Sequence, residues 1–458
     1  MSSGDIDSGP GGSVFRRVRE WSRISRARGP EVASRVGIAL GVAILICFCT
    51  GLISHGIQHP PNWFRWPAHP VWLYRFTQGL HVVSGVTAIP LVVVKLWAVY
   101  PRLFQRPLFG SPLRVLERGS IALLVGAVLF ELSTGLLNIA QWYPWKFFFP
   151  TAHYAMAFIV AGALAVHLAV KLPVIRAALS RPLDSEAGTV PSTSVQPRRA
   201  VEAGRPVAAP GGSSDSGRSV EPRRGDTPNR SEVPARAAVP DGSVEPPGTS
   251  KPLDTDSAGG QRSSRRTVLT AAWVSAGVAA LAVAGQSVPL LRPLSFAAPR
   301  SGQGPQGLPV NRSATAAGVR DSARDPAYRL RVVVGERSRE FSRAELSALP
   351  QTTATLPIAC VEGWSASADW SGVRLRDLLE IVGPYSGGAV GFASLETGGI
   401  YRTSLLPQPH VVASDTLIAL TLNGETLDLD HGYPCRLIAP NRPGVLQTKW
   451  LSSIEVRA

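Results

Sequence analysis

Five apolar runs, each close to the roughly 20 residues a helix needs to cross a bilayer, punctuate the first two thirds of the chain, at 36–54, 73–99, 120–140, 152–172 and 268–288. Beyond residue 327 the rhythm changes. Apolar segments become short, at 330–334, 355–360, 389–395, 416–422, 435–439 and 453–456, with turn-forming residues between them, which predicts strands. Helical spacing returns at 342–349, behind a capping Ser342, and at 375–382. The pattern predicts a multi-domain chain, an α-helical transmembrane bundle of four spans plus a fifth anchoring span followed by a compact α+β domain.

Two stretches lack large apolar residues. Residues 181–266 are dense in Pro, Gly, Ser and Arg and bury too little surface to offset chain entropy, so a disordered linker is expected there. A shorter Gly/Pro/Ser stretch covers 301–327. The resulting division is a basic N-terminus at 1–35, a four-helix membrane domain at 36–175, a linker at 176–266, the fifth span at 267–289, a second linker at 290–326 and the α+β domain at 327–458.

Composition strengthens the membrane reading, with 45% hydrophobic and only 17% charged residues. The formal net charge of +15 arises from arginines bunched at 16–35, 102–118 and 176–266, each beside an apolar run. That is the positive-inside pattern rather than a nucleic-acid surface, and no nucleic-acid partner is expected. It puts these segments in the cytoplasm, the aromatic loops 55–74 and 141–151 outside, and everything beyond about Leu290 outside as well. The expectation is a multi-pass protein of the cell membrane with an extracytoplasmic C-terminal domain. Of the four cysteines, Cys47 and Cys49 lie in an apolar span, so no disulfide framework is indicated; Cys360 and Cys435 need separate explanations.

Histidines inside membrane spans are costly without a partner, which makes His81, His153 and His167 functional candidates. His153 and His167 are separated by 14 positions, close to four helical turns, and so share one face about 21 Å apart along the axis. This spacing resembles that by which respiratory cytochrome b proteins hang two haems on one helix, and the first four spans resemble that four-helix haem-binding domain. The resemblance implies b-type haem with axial histidines. By depth, His81 pairs best with His153, both in the outer half, and Ser84 and Gly85 are small enough to admit a flat macrocycle. His167 lies toward the inner side without a histidine at its level, Lys95 being the residue 14 beyond His81. His55, at the outer end of the first span, is a spare ligand. The alternative for the three intramembrane histidines is helix-to-helix hydrogen bonding. Glu131 suits a proton relay or a polar pairing equally.

Before the fifth span stands Ser264-Arg265-Arg266-Thr267-Val268-Leu269-Thr270, which resembles a twin-arginine export motif, although two arginines also satisfy positive-inside insertion. Twin-arginine export carries folded cargo, as a domain loaded with a cytoplasmic cofactor requires. A retained anchor is expected in preference to cleavage near 296–300.

The C-terminal domain carries Leu356-Pro-Ile-Ala-Cys360-Val-Glu-Gly363-Trp364, Trp370-Ser-Gly372-Val-Arg-Leu375-Arg376-Asp377-Leu378-Leu379, Asn423-Gly424, His431-Gly432-Tyr433-Pro434-Cys435-Arg436-Leu437 and Lys449-Trp450-Leu451. In order and spacing these resemble the sulfite-oxidase family of molybdopterin enzymes: a cysteine at a strand end, a Trp-x-Gly approach to a helix, an HG-x-P-x-R-L strand and a late KWL. A soft thiolate held at a strand end suits a metal that cycles through oxo transfer. The resemblance implies Cys360 as the protein ligand to molybdenum, with His431, Arg436 and Lys449 contacting the pterin phosphate or an anionic substrate. The other reading of Cys360 is a buried structural cysteine or half of a disulfide with Cys435. Longer relatives add an N-terminal segment that contributes polar residues to the pterin pocket, for which 301–327 is too rich in Gly and Pro, and some add a terminal β-sandwich.

Taken together, these residues suggest a molybdopterin- and haem b-dependent oxidoreductase that exchanges electrons between an extracytoplasmic substrate and membrane quinone, with the twin-arginine machinery as an export partner. The alternative is a haem-only electron carrier with a cofactor-free C-terminal binding module.

Overall fold

The computed structural model describes residues 28–103, 112–145, 147–181, 264–298 and 304–457. The basic N-terminus and nearly all of the expected 176–266 linker lie outside the described residues. Five helices are long and apolar enough to cross a membrane: α1 (Pro30–Gln58), α2 (Leu73–Leu103), α3 (Pro112–Ile139), α4 (Phe149–Leu179) and α5 (Arg265–Ala284). Helices α1 and α4 extend past both ends of their apolar runs, because the run marks only the hydrocarbon-depth part of a helix that continues into the interface, whereas α5 stops at Ala284, short of the run's end at 288.

Helix α1 packs on α2 and α4, and α3 packs on α4 and more lightly on α2, so α2 and α4 face each other across a four-helix bundle. Leu45, Val93, Leu123 and Val170 point outward and are exposed, as lipid-facing side chains must be. Helix α5 is more than an anchor. Its Ala272 and Ala276 are buried with Leu91 and Val36, small residues permitting close approach. Where α5 ends, a Cβ on Gly79 of α2 would fall 1.5 Å from Ser287 Oγ. At the opposite, Arg-rich end, Ser264 Oγ caps α5 by accepting from Thr267 N at 3.1 Å, and Arg265 lies 3.7 Å from the buried Glu31.

The C-terminal domain is built on two five-stranded sheets. One runs in the order β2 (Arg337–Phe341), β1 (Leu330–Val334), β10 (Leu451–Arg457), β5 (Ala389–Ser394), β6 (Thr403–Leu406). Its β1–β10 pair is parallel, with Arg331 opposite Ser453, and the others are antiparallel. The second joins β3 (Thr352–Ala359), β4 (Ser365–Arg374), β7 (Leu417–Leu422) and β8 (Glu425–Thr426), with β9 (Arg436–Ile438) paired to β7. A helix at Leu375–Val382 buries Leu375, Leu378, Leu379 and Val382, one face of a 3.6-residue repeat, against Leu330, Val390 and Ile418. The short helix Arg343–Ala348 opens with a capping box in which Ser342 Oγ accepts from Glu345 N and Glu345 Oε2 accepts from Ser342 N.

Four strands escape the sequence pattern: β2, β4, β6 and the two-residue β8. The Trp370-Ser-Gly372 segment, read as an approach to a helix, is the middle of β4, where the register shifts between Ser371 and Gly372. Gly372 passes so close to β7 that a Cβ would lie 2.1 Å from the Ile418 carbonyl oxygen, which is why a glycine stands there. Within the expected 290–326 linker, residues 304–324 also fold. Ala314, Ala317, Val319 and Ala323 pack on Trp450, and Gln306 bonds to the carbonyls of Leu422 and Thr426 and to the Asp428 amide. Small alanines that fill a groove beneath a tryptophan carry no apolar period of their own.

Candidate active site

Cys360 follows β3 directly. The chain turns there, Gly363 N donating to the Cys360 carbonyl at 3.1 Å and Cys360 N to the Trp364 carbonyl at 2.8 Å. Gly363 takes φ +91°, open to glycine and strained for other residues. The thiol is fully buried and free, as is Cys435, whose sulfur meets Tyr328 Oη at 3.2 Å; there is no disulfide between them. Burial pushes the Cys360 thiol well above its ordinary range, and the Glu362 carboxylate adds to this. The free thiol is therefore favoured here, and a bound metal cation would stabilise the thiolate.

Around this turn the domain buries cations without carboxylate partners. Arg436, on β9, donates to the carbonyls of His431 at 3.0 Å and Gln447 at 3.2 Å and lies over the Trp370 ring. Lys449 Nζ donates to the carbonyls of Arg312 at 2.5 Å and Asp430 at 2.9 Å. Arg442 Nη2 donates to the Leu405 carbonyl at 3.0 Å, and its Nε is buried without a partner. Burial draws Arg436 down to about 9, Arg442 to about 10 and Lys449 to about 7, the last also through Arg436. Among the described residues none of the three reaches a carboxylate within ion-pair distance. Uncompensated buried cations are costly unless an anion joins them. A phosphate-bearing group with thiolate ligands would supply both the missing negative charge and the metal, so the residues fit molybdopterin.

A cavity of about 510 Å³ opens beside the turn, lined on one side by Arg312, Glu362, Glu396, Tyr401, Thr448 and Lys449. Arg312 pairs with Glu396 at 3.2 Å. Cys360, His431, Arg436 and Arg442 lie behind this lining rather than in it. His431 Nε2 donates to the Pro305 carbonyl at 2.8 Å, and burial draws the ring down to about 4, so it is neutral. Arg312, Tyr401 and Arg442 were not singled out in the sequence; isolated polar residues in loops carry no spacing signal.

Residues 317–458 match the family described as oxidoreductase molybdopterin binding domain. Sulfite oxidase of Arabidopsis thaliana is 40% identical over 114 residues, covering 21% of this chain and 29% of that protein. Residues 317–458 are a sulfite-oxidase-type molybdopterin-binding domain. A subunit of Azospira oryzae, YedZ1, named for protein-methionine-sulfoxide reductase, is 34% identical over 113 residues, covering 24% of this chain and 42% of that protein. The chain thus spans less than half the length of either curated relative. Among solved structures, the sulfane dehydrogenase SoxCD from Paracoccus pantotrophus aligns at 24% identity and a TM-score of 0.27, over 29% of this chain and 38% of that one.

The molybdopterin domain caps the end of the bundle formed by the α1–α2 and α3–α4 loops. Asn441, buried with φ +54°, accepts from Tyr74 N at 2.6 Å on its side-chain oxygen, donates to the Pro67 carbonyl at 2.7 Å and accepts from Trp66 Nε1 at 2.8 Å on its own carbonyl. Arg75 donates to Ser367 Oγ, and Gln286, just past α5, accepts from Ser365 N. The far wall of the cavity belongs to the helical part, with Asn138, Tyr143, Trp145, Phe147 and Phe149.

Immediately below, the ring centroids of His81 on α2 and His153 on α4 lie 6.3 Å apart. His81 Nδ1 is 3.0 Å from the Cys47 carbonyl and 3.2 Å from Thr50 Oγ1; His153 Nδ1 is 2.9 Å from Thr134 Oγ1 and 3.1 Å from Glu131 Oε2. Neither Nε2 has a hydrogen-bond partner among the described residues. His55 stacks on Tyr154 at 3.6 Å, and His167 is half-buried further along α4. The structure thus brings His81 and His153 together and leaves His55 and His167 apart from them.

Proposed function

We propose that this chain is a membrane-bound molybdopterin-dependent oxidoreductase that exchanges electrons between an extracytoplasmic substrate and the membrane quinone pool through b-type haem. The observation that carries this reading is the common location of the two candidate ligand sets. The Cys360 turn rests on the mouth of the bundle, and Gln78, which bonds to that turn, precedes His81 by three residues on α2.

Cys360 would hold the molybdenum, with Lys449, Arg436 and Arg442 offsetting the charge of the pterin phosphate. His81 and His153, whose ring centroids lie 6.3 Å apart on different helices, would hold the haem iron. Their Nδ1 atoms are already engaged, which fixes the tautomer and leaves Nε2 to the metal. Gly51 and Gly135 lie beside these rings, where a Cβ would fall 3.3 Å and 3.8 Å from the imidazole carbons, so both positions keep the space near the ligands small-sided. When bound, molybdenum supplies two-electron oxo transfer and haem a one-electron relay. The arginine-rich end of the bundle would face the cytoplasm and the molybdopterin domain the other side, consistent with export of a loaded domain behind Arg265 and Arg266.

The test is the optical spectrum of the detergent-purified full chain with a short-chain quinol as reductant. A Soret band that shifts on quinol addition, and that is absent from His81→Ala and His153→Ala, is the expected result. Haem absorbance in protein without molybdenum would leave the electron-carrier alternative, and absence of any Soret band would reduce the histidines to bundle packing.

A further inference from the structure

Val361, the residue after Cys360, directs its carbonyl into the mouth of the bundle. There it accepts from Gln78 Nε2 of α2 at 3.4 Å and from Asn138 Nδ2 of α3 at 3.3 Å. A carbonyl has two lone pairs, and both are taken by the membrane domain. Two residues on, Gly363 lies flat against the same helices. A Cβ there would meet Val82 Cγ2 at 3.1 Å and Ile139 Cγ1 at 3.6 Å. Ala359, on the other side of Cys360, is buried with Ile57 of α1 and Tyr74 of α2. The turn thus has contacts with the helices before, within and after the Val361 carbonyl, beside the hydrogen bonds that its own main chain makes at Cys360 and Gly363.

We infer that Gln78 and Asn138 are positioning residues for the molybdenum ligand, so that the membrane bundle fixes the orientation of the Cys360 turn and is a working part of the molybdopterin site. This rests on the reading of Cys360 as the metal ligand. The direction of a thiolate follows from the placement of its own main chain, and here two amides from different helices hold the adjoining carbonyl. The same contact joins the Cys360 turn to the helix that carries His81, so it links the two candidate ligand sets directly. Neither amide lies in the match to the molybdopterin-binding family, which begins at residue 317; the contacts are a property of the joined chain.

The test compares the metal-loaded full chain, wild type against Gln78→Leu/Asn138→Leu, by hydrogen exchange of the 360–364 peptide and by the electron paramagnetic resonance signal of pentavalent molybdenum. The expected result is at least tenfold faster exchange of that peptide together with a shifted or broadened molybdenum signal, while the Soret band of the bundle is unchanged. Exchange and signal both matching wild type, with molybdenum retained, would overturn the inference. If the double variant does not accumulate, Asn138→Leu is read in the same way, with a threefold change in exchange and a detectable shift in the signal as the threshold. Wild-type protein without molybdenum would defeat the assignment of Cys360 and this inference together, whereas unchanged behaviour in a loaded variant defeats the inference alone.

Discussion

In the molybdopterin domain, three buried polar side chains are tied to the main chain of neighbouring loops: Arg436 to the carbonyls of His431 and Gln447, Lys449 to those of Arg312 and Asp430, and His431 to that of Pro305. In the bundle, His81 and His153 depend largely on side chains of other helices, Thr50 for one and Thr134 with Glu131 for the other. The difference follows from where backbone groups are available. A transmembrane helix consumes its own N–H and C=O groups, so a polar side chain within it must be oriented by neighbouring side chains or by a carbonyl that accepts a second bond, as Cys47 does for His81. Loops around a β core leave carbonyls free. Orientation in the bundle is therefore encoded in single side chains that substitution can remove, and in the domain it is encoded in the path of the chain, which glycines control.

The largest break of this comparison is His153→Ala, for which loss of essentially all low-spin haem absorbance is expected in membranes; retention of a normal spectrum would contradict the assignment. Next is Gly372→Ala in β4. The added carbon meets the Ile418 carbonyl oxygen at 2.1 Å, and a destabilisation of about 3 kcal/mol is expected, read as a lowered Tm of the domain with the bundle spectrum intact. Glu131→Gln sharpens the other side. Weakening the acceptor on His153 Nδ1 lowers the basicity of the ligand, so the haem reduction potential should rise on the order of 50 mV, roughly a tenfold change in equilibrium constant. An unchanged potential in redox titration would mean that the contact does not tune the ligand.

The smallest effect concerns His410. Both of its ring nitrogens are buried without a partner, and burial together with Arg442 and His69 draws it down to about 3. The folded state keeps this ring neutral while the unfolded chain takes a proton near pH 6.5. Stability is thus highest above that value and declines as pH falls from about 6.5 toward 3. His410→Phe should flatten that decline in thermal unfolding followed by pH, and an unaltered slope would remove His410 as its source.

Much of the architecture is legible in the sequence, because hydrocarbon thickness and strand alternation impose long and short apolar periods. The five spans and the helix at Leu375–Val382 follow from this. Strand β4 does not, since Ser365-Ala-Ser-Ala-Asp contains no large apolar residue to mark a strand, and its pairing depends on β3 and β7 on either side. Segment 304–324 was unreadable for a related reason, its alanines finding a groove made by Trp450. At the site, Cys360 and the Arg436 and Lys449 cations stand within recognisable motifs. Gln78, Asn138 and Asn441 do not, because each acts on a residue more than 200 positions away and its own neighbourhood gives no hint of this.

The most direct test of the central claim is metal analysis of the detergent-purified full chain, with Cys360→Ser prepared in parallel. The account predicts near-stoichiometric molybdenum together with haem iron in wild type, and in the variant iron retained and molybdenum lost. Iron without molybdenum in folded wild-type protein, or molybdenum undiminished in Cys360→Ser, would contradict it.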